Sequence, residues 1–404
     1  MELKIKYQYT DYIYPFFIQK ANYEKYLMKI LKDKRFKIKL FEKQKDNGVY
    51  TYFNPNVRAY MFQSFEFDKK ETKDLLELSN EMKVKLLKKM PCTFFEYNVA
   101  EDVAGKLGDE SSIMFKMPSF ELICFNTGIC FLKIKTYLEG TDKFSDLLNF
   151  NYKFRDCNLE DAHLKKYENI KIQTDMFESI SEIKNLIIDI TGQATDDNLF
   201  TYSYACIDSE NWNNQNNFEG IQNEYLKFSN ILPSSYNLNL NQDELKAHSK
   251  WEYIRFGFSK LGGVTLSSGI EPFNYTRLPV MYENEYLYTM VLSMYQKLYL
   301  NMLEVKFNSR NKNILKQARK EFADFTKRVY FKDITNNVDG NIIYDKWQKC
   351  FEIENLYNNI KTKYDVIYKD EDIKKITRTN NALWIIILLT LLLGWFNLLV
   401  IAYR

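Results

Sequence analysis

The chain has 404 residues, with 56 Lys and Arg against 53 Asp and Glu and a formal net charge of +3. So even a balance, with no long run of one sign, argues against a protein that coats nucleic acid, which would carry a basic stripe. Hydrophobic residues make up 46% and aromatic residues 16%, enough for a sizeable core and too many for a disordered chain.

In chain order, the first 280 residues alternate short apolar and polar runs broken by turns. "LKIKYQY", "FKIKLF", "FELICFNTGICFLKIKTY" and "NLFTYSYACID" read as strands. The opening "MELKIKYQYTDYIYPFF" alternates in the same way and lacks the continuous apolar core of an export signal. Asn126, Thr127 and Gly128 form a turn between two apolar runs, which predicts a hairpin. "NYEKYLMKILKDK", "KKETKDLLELSNEMKVKLLKKM", "KFSDLLNFNYKFR" and "FESISEIKNLIIDI" have helical spacing. Strands mixed with helices predict an α/β (mixed α+β) head over residues 1–280. The paired glycines of "KLGGVTLSSG" fit a hairpin turn and lack the spacing of a phosphate loop.

All seven Pro lie at or before Pro279, and after residue 280 the only Gly are Gly340 and Gly394. Without helix breakers the remainder should form long helices. Leu287, Val291, Met294, Leu298, Met302 and Val305 recur at threes and fours, predicting one apolar face on a helix from Glu283 to about Tyr330. "DITNNVDGN" is a turn, and a second helix near Ile342 should carry Trp347, Cys350, Ile353, Leu356, Ile360, Tyr364 and Ile367. Residues 281–381 are thus expected to be a helical stalk.

Residues 382–403 carry no charge, and 14 of the 22 are Leu, Ile, Val or Phe. That is long enough to cross a bilayer, and the apolar residues sum to roughly −4 to −8 kcal/mol on an insertion scale. Lys374, Lys375 and Arg378 precede the run and Arg404 alone follows it. Positive charge stays on the cytoplasmic side, so a single-pass protein of the cell inner membrane is expected, its N-terminal head cytoplasmic and membrane lipid its first partner.

Signs of catalysis are missing. His163 and His248 are isolated among polar residues, and the six cysteines (Cys92, Cys124, Cys130, Cys157, Cys206, Cys350) show no CxxC spacing, so reduced buried thiols are expected. No Walker loop, dinucleotide fingerprint or nucleophile elbow occurs. The chain therefore reads as a non-enzyme, with no catalytic residue, no metal site and no cofactor.

The C-terminal third, "YENEYLYTMVLSMYQKLYLNMLEVKF" followed by "YFKDITNNVDGNIIYDKWQKCFEIENLYNNIKTKYDVIYK", a basic collar and an apolar helix, resembles the stalk of CorA-type membrane proteins. "LICFNTGICFLKIK", "DLLNFNYKFRD" and "FNYTRLPVMYENEYLY" are similar to the CorA-like effectors associated with type III CRISPR systems. The resemblance implies a homo-oligomer, a pentamer in CorA proteins, whose cytosolic head binds a nucleotide second messenger in antiviral defence; the charge balance, for its part, argues against direct nucleic-acid binding. It also implies a channel-like membrane part. Ion-transporting CorA proteins, however, join two membrane helices by a Gly-Met-Asn loop, where this chain has one run containing "GWFN". Gly394 and Asn397 are the candidate membrane or pore positions. Asn397 amides would hydrogen-bond across helices in an oligomer, or else meet water at the far interface. Two other readings stand beside the effector: a tail-anchored scaffold for a protein partner, and a relative of divalent-cation transporters.

For an anionic messenger the candidate ligands are Arg155, Arg255 and Arg277, with Asn149 and Asn151 for a base edge. Arginine's fork suits phosphate, and "WEYIRFGF" and "FNYTRLP" set arginines among rings that can stack. The alternative is that each arginine pairs with a nearby carboxylate such as Asp156 or Glu252.

Overall fold

A computed structural model describes residues 2–98, 104–107, 113–156, 170–172, 175–177, 180–193, 198–238, 247–248 and 251–402. Cys157 and His163 fall outside them. The chain divides into two units, residues 1–296 with 328–351, and residues 297–327 with 352–404.

The first unit is built on strands β1 (Ile5–Phe17), β2 (Lys37–Lys39), β3 (Cys92–Asn98), β4 (Ala104–Leu107), β5 (Ile113–Phe125), β6 (Ile129–Glu139), β7 (Ile170–Ile172), β8 (Asp175–Phe177), β9 (Phe200–Ile207), β10 (Ala247–His248), β11 (Ile254–Phe258) and β12 (Gly262–Ser268). All but β7 and β8, which pair with each other, join one sheet ordered β10-β11-β12-β9-β1-β6-β5-β3-β2, with β4 beside β5. Its described pairs are antiparallel except β9 with β12. The expected hairpins are present, β5 with β6 around Gly128 and β11 with β12 around residues 259–261. Gly128 has φ +93, and a Cβ there would lie 2.1 Å from the Ile18 carbonyl oxygen. Gly128→Ala is therefore expected to lower stability by about 1–3 kcal/mol, measurable by chemical denaturation.

Helices cover both sheet faces, so the fold is mixed α/β with the sheet as its middle layer. The first cover comprises α1 (Tyr23–Lys32), α5 (Asn80–Leu87), α6 (Phe144–Phe154), α7 (Ile180–Thr191) and α8 (Gln222–Ser229), which close over Tyr12, Phe120, Leu122, Leu132 and Ile134 in one apolar core. Between α1 and α5 along the chain come α2 (Asn47–Tyr52), α3 (Pro55–Met61) and α4 (Lys69–Glu77). The opposite face meets α9 (Phe273–Thr276), α10 (Leu278–Met281), a π-helical turn (Tyr282–Tyr286), α11 (Leu287–Phe307) and α13 (Val338–Cys350). Aromatic rings make this second interface. Tyr295 stacks on Phe125 at 3.7 Å, Tyr282 on Tyr202 at 4.2 Å, and Trp347 meets Phe258 edge-on at 4.9 Å.

Because α11 is enclosed, its one-sided stripe needs correcting. Leu287 to Gln296 are buried all round, whereas Val305 is 72% exposed. The enclosed turns satisfy their polar side chains internally. Thr289 bonds Tyr52, and Gln348 donates from its amide to Ser293 and Gln296. The first unit accordingly continues past residue 280 into 281–296 and 328–351.

The helix expected from Glu283 to Tyr330 is also interrupted. It ends at Phe307, and α12 (Lys312–Arg328) starts anew. The break needs no Pro or Gly, since Ser309 and Asn311 side chains accept from the backbone N–H groups two residues on, the local competition that draws Ser and Asn out of helices. Asn337 caps α13, so that helix begins before Ile342, and Glu352 at φ +57 separates it from α14 (Ile353–Ala402).

In the second unit the end of α11, α12 and the start of α14 pack as three helices. Phe322 contacts Phe307, Tyr357 and Tyr364, and Tyr299 meets Phe325. Lys306–Glu321 at 2.5 Å and Lys363–Glu304 at 2.8 Å tie the bundle. At 50 residues α14 is about 75 Å long. Its stretch Ile376–Trp395 is long and apolar enough to cross a membrane and is 0% buried.

Candidate functional site

Helix α6 carries three of the five candidate ligands or leads into them. Its inward stripe of Phe144, Leu147, Leu148 and Phe154 seats the helix on the sheet and draws Asn151 in with it. The Asn151 Oδ1 accepts from Thr10 Oγ1 at 3.0 Å and Tyr12 OH at 2.9 Å, and its Nδ2 donates to Ser203 Oγ at 3.0 Å. This amide cross-links α6 to β1 and β9. Asn149 Oδ1 accepts from the Ser234 backbone N–H and hydroxyl, both at 3.0 Å. Both Asn side chains thus fasten the fold. Asn151→Ala should remove its three buried hydrogen bonds, to Thr10, Tyr12 and Ser203, and cost about 1–3 kcal/mol, again read by denaturation.

Arg155 follows α6 and is buried, its Nε without a hydrogen-bond partner; burial lowers its pKa against the pull of Asp156. Arg255 on β11 donates from one Nη to the carbonyls of Trp251, Glu252 and Ile254, each at 2.9 Å, and lies over the Phe218 and Trp212 rings at 4.5 and 5.3 Å. It locks a turn instead of pairing with the Glu252 carboxylate. Arg277, exposed, ends α9 in the segment that covers the other sheet face. Arg155 and Arg277 are therefore on opposite sides of the sheet. Gly394 and Asn397 both lie on α14, and a Cβ added at Gly394 would meet no atom within 4 Å.

A second constellation, not anticipated from the sequence, lies between the sheet and the start of α11. Asp11 on β1 faces Lys135 on β6 across the strands, Lys133 faces Glu121 on β5, and Glu121 faces Glu96 on β3. Lys39 of β2 completes the row. Lys39 reaches Glu121 at 2.9 Å and Glu96 at 3.5 Å, Lys133 reaches Glu121 at 3.6 Å and Asp11 at 4.0 Å, and Lys135 reaches Glu283 of the π-turn at 2.5 Å. Tyr288 of α11 donates its hydroxyl to Glu121 at 3.0 Å.

The two central carboxylates respond oppositely to burial. At Glu121 burial opposes ionisation, but Lys133 and Lys39 outweigh it and hold the pKa down to about 2. At Asp11 burial dominates the attraction of Lys133, and the carboxyl is pushed up to about 6. Neither Asp11 oxygen has a hydrogen bond. Burial likewise raises Glu285 of the π-turn to about 7. "CFLKIKTY" alone suggests lysines facing water on a half-covered strand; Lys133 and Lys135 are buried because a helix covers that face too.

Cys92, Cys124, Cys130 and Cys206 are buried free thiols, and Cys350 is half-buried. Among the described residues no three His, Cys, Asp or Glu side chains group as a metal site. No protein-family model matches the chain, and no curated protein or solved structure matches it.

Proposed function

We propose that the chain is a membrane-anchored homo-oligomeric effector or channel-like protein of CorA-like type, with its head in the cytoplasm and α14 in the inner membrane. One observation carries the reading. The stretch Ile376–Trp395 has Leu, Ile and Trp side chains exposed on all sides, continuous with a helix whose earlier turns pack in a bundle. Such a surface is stable in lipid or against copies of itself, and unstable in water. Oligomerisation adds the second part: α14 copies side by side would line a path that one helix cannot.

The nucleotide messenger and the role in antiviral defence come from the sequence resemblance. Arg277 is the candidate ligand that remains exposed. The experiment is dye leakage from liposomes holding the full chain, with and without a panel of linear and cyclic oligonucleotides. Release triggered by one of them is the expected outcome; sealed liposomes with every nucleotide would favour the scaffold. Mass measurement in mild detergent should give a multimer, and a monomer at micromolar concentration would refute the assembly.

A further inference from the structure

We propose that Asp11 is a proton-binding site whose occupancy sets how firmly the π-turn at the head of α11 is held on the sheet. The seam beneath that turn contains four carboxylates, Asp11, Glu96, Glu121 and Glu283, and three ammonium groups, Lys39, Lys133 and Lys135. Fully ionised, it has one negative charge in excess; Glu96 and Glu283 at its margins reach water, whereas Asp11 is fully buried, where water screens its charge least. Three of the carboxylates have an ammonium group within 3.5 Å, whereas Asp11 has only Lys133 at 4.0 Å and no hydrogen bond to either oxygen. A proton removes the excess charge and supplies Asp11 with a donor.

The consequence reaches the π-turn through Lys135. This lysine is the cross-strand neighbour of Asp11 and holds Glu283 at 2.5 Å. Ionised Asp11 competes for Lys135 and repels Glu283. Protonated Asp11 leaves Lys135 to Glu283 alone, and the turn is latched. A π-turn is a locally unfavourable helical geometry that such contacts must hold in place.

The remaining groups around Asp11 keep one charge state through the neutral range. Burial raises the phenols of Tyr9, Tyr202, Tyr282 and Tyr288 well above their usual value. Burial lowers and the carboxylates raise Lys133 and Lys135, with a net rise that keeps both charged, and Glu121 stays ionised. The acid constant of Asp11, near 6, places its transition just below neutrality. Glu285, on the same turn, also titrates near neutrality, but it lies by Gly48 and feels Arg277 instead of the seam. It serves as the control.

Hydrogen exchange followed by mass spectrometry on the full chain in detergent micelles tests the proposal, at pH 5.0 and 7.5 with rates corrected for chemical exchange. Amides in 282–290 should be about tenfold better protected at the lower pH, one pKa unit of coupling, with the β5–β6 hairpin as reference. Asp11→Asn should abolish the difference and Glu285→Gln should keep it. Lys135→Met, which cuts the tie from the other side, should lower protection at both pH values. Equal protection of the wild-type chain at both pH values would overturn the proposal. So would a difference that survives Asp11→Asn or vanishes in Glu285→Gln, or unchanged protection in Lys135→Met.

Discussion

Glu121→Gln is expected to destabilise the protein by about 3–5 kcal/mol, whereas Asp11→Asn stabilises it above pH 7, although both remove one buried carboxylate from the same seam. Glu121 is the partner of Lys39, Lys133 and Tyr288, and its loss leaves buried ammonium groups without their main counter-charge. Asp11 is the opposite case, a buried charge with no hydrogen bond. Its pKa rises from 3.8 to about 6 on folding, so the folded state binds the proton more tightly and stability falls as pH climbs from about 4 to 6. That shift is on the order of 3 kcal/mol, the upper limit of the gain from Asp11→Asn at pH 8. At pH 4 the gain should vanish. Glu121 works the other way. Its pKa falls from 4.5 to about 2, so its contribution is present above pH 4.5 and lost as pH drops through 2. Urea unfolding of both variants at pH 4, 6 and 8 checks the pattern, and a loss of stability in Asp11→Asn at pH 8 would contradict it.

The second large effect concerns the exposed apolar stretch of α14. Leu388→Arg with Leu392→Arg places two charges one turn apart in the exposed apolar stretch. Each central Arg costs about 2.5–3.5 kcal/mol where Leu gained a few tenths, so the pair removes roughly 6–8 kcal/mol, comparable with the whole favourable sum. The double variant should leave the membrane fraction, while Leu388→Ala with Leu392→Ala stays in it. Sedimentation after an alkaline carbonate wash reads the difference. Retention of the double Arg variant in washed membranes would show that α14 is not what holds the chain there.

Much of the architecture was legible where one physical signal dominated. Gly128 marks its hairpin because the turn needs a positive φ, and the continuous apolar run at the C-terminal end of the chain reads directly as an exposed apolar helix. What was illegible depended on which face is covered. The stripe on α11 implied one buried side, but Tyr288 and Tyr295 between its aliphatic positions are buried as well, packed on Phe94 and Phe125 of a sheet that the local sequence cannot reveal. Ser309 and Asn311 break the helix through side-chain bonds that a count of Pro and Gly overlooks. The candidate ligands were chosen by residue type. Burial then committed Asn151 to β1 and β9, and Arg255 to a turn. Glu121 and Lys133 face each other across the β5–β6 hairpin, but Asp11 lies far earlier in the sequence, on β1, and only the strand register makes it their neighbour.

The claim that the head is cytoplasmic and anchored by α14 is tested most directly by protease digestion of spheroplasts and of inverted inner-membrane vesicles carrying the full chain. The account predicts that residues before 370 survive protease added to intact spheroplasts and are cut in inverted vesicles. Cleavage of the head from outside intact spheroplasts would contradict the topology, and recovery of the uncut chain in the soluble fraction would contradict the anchor.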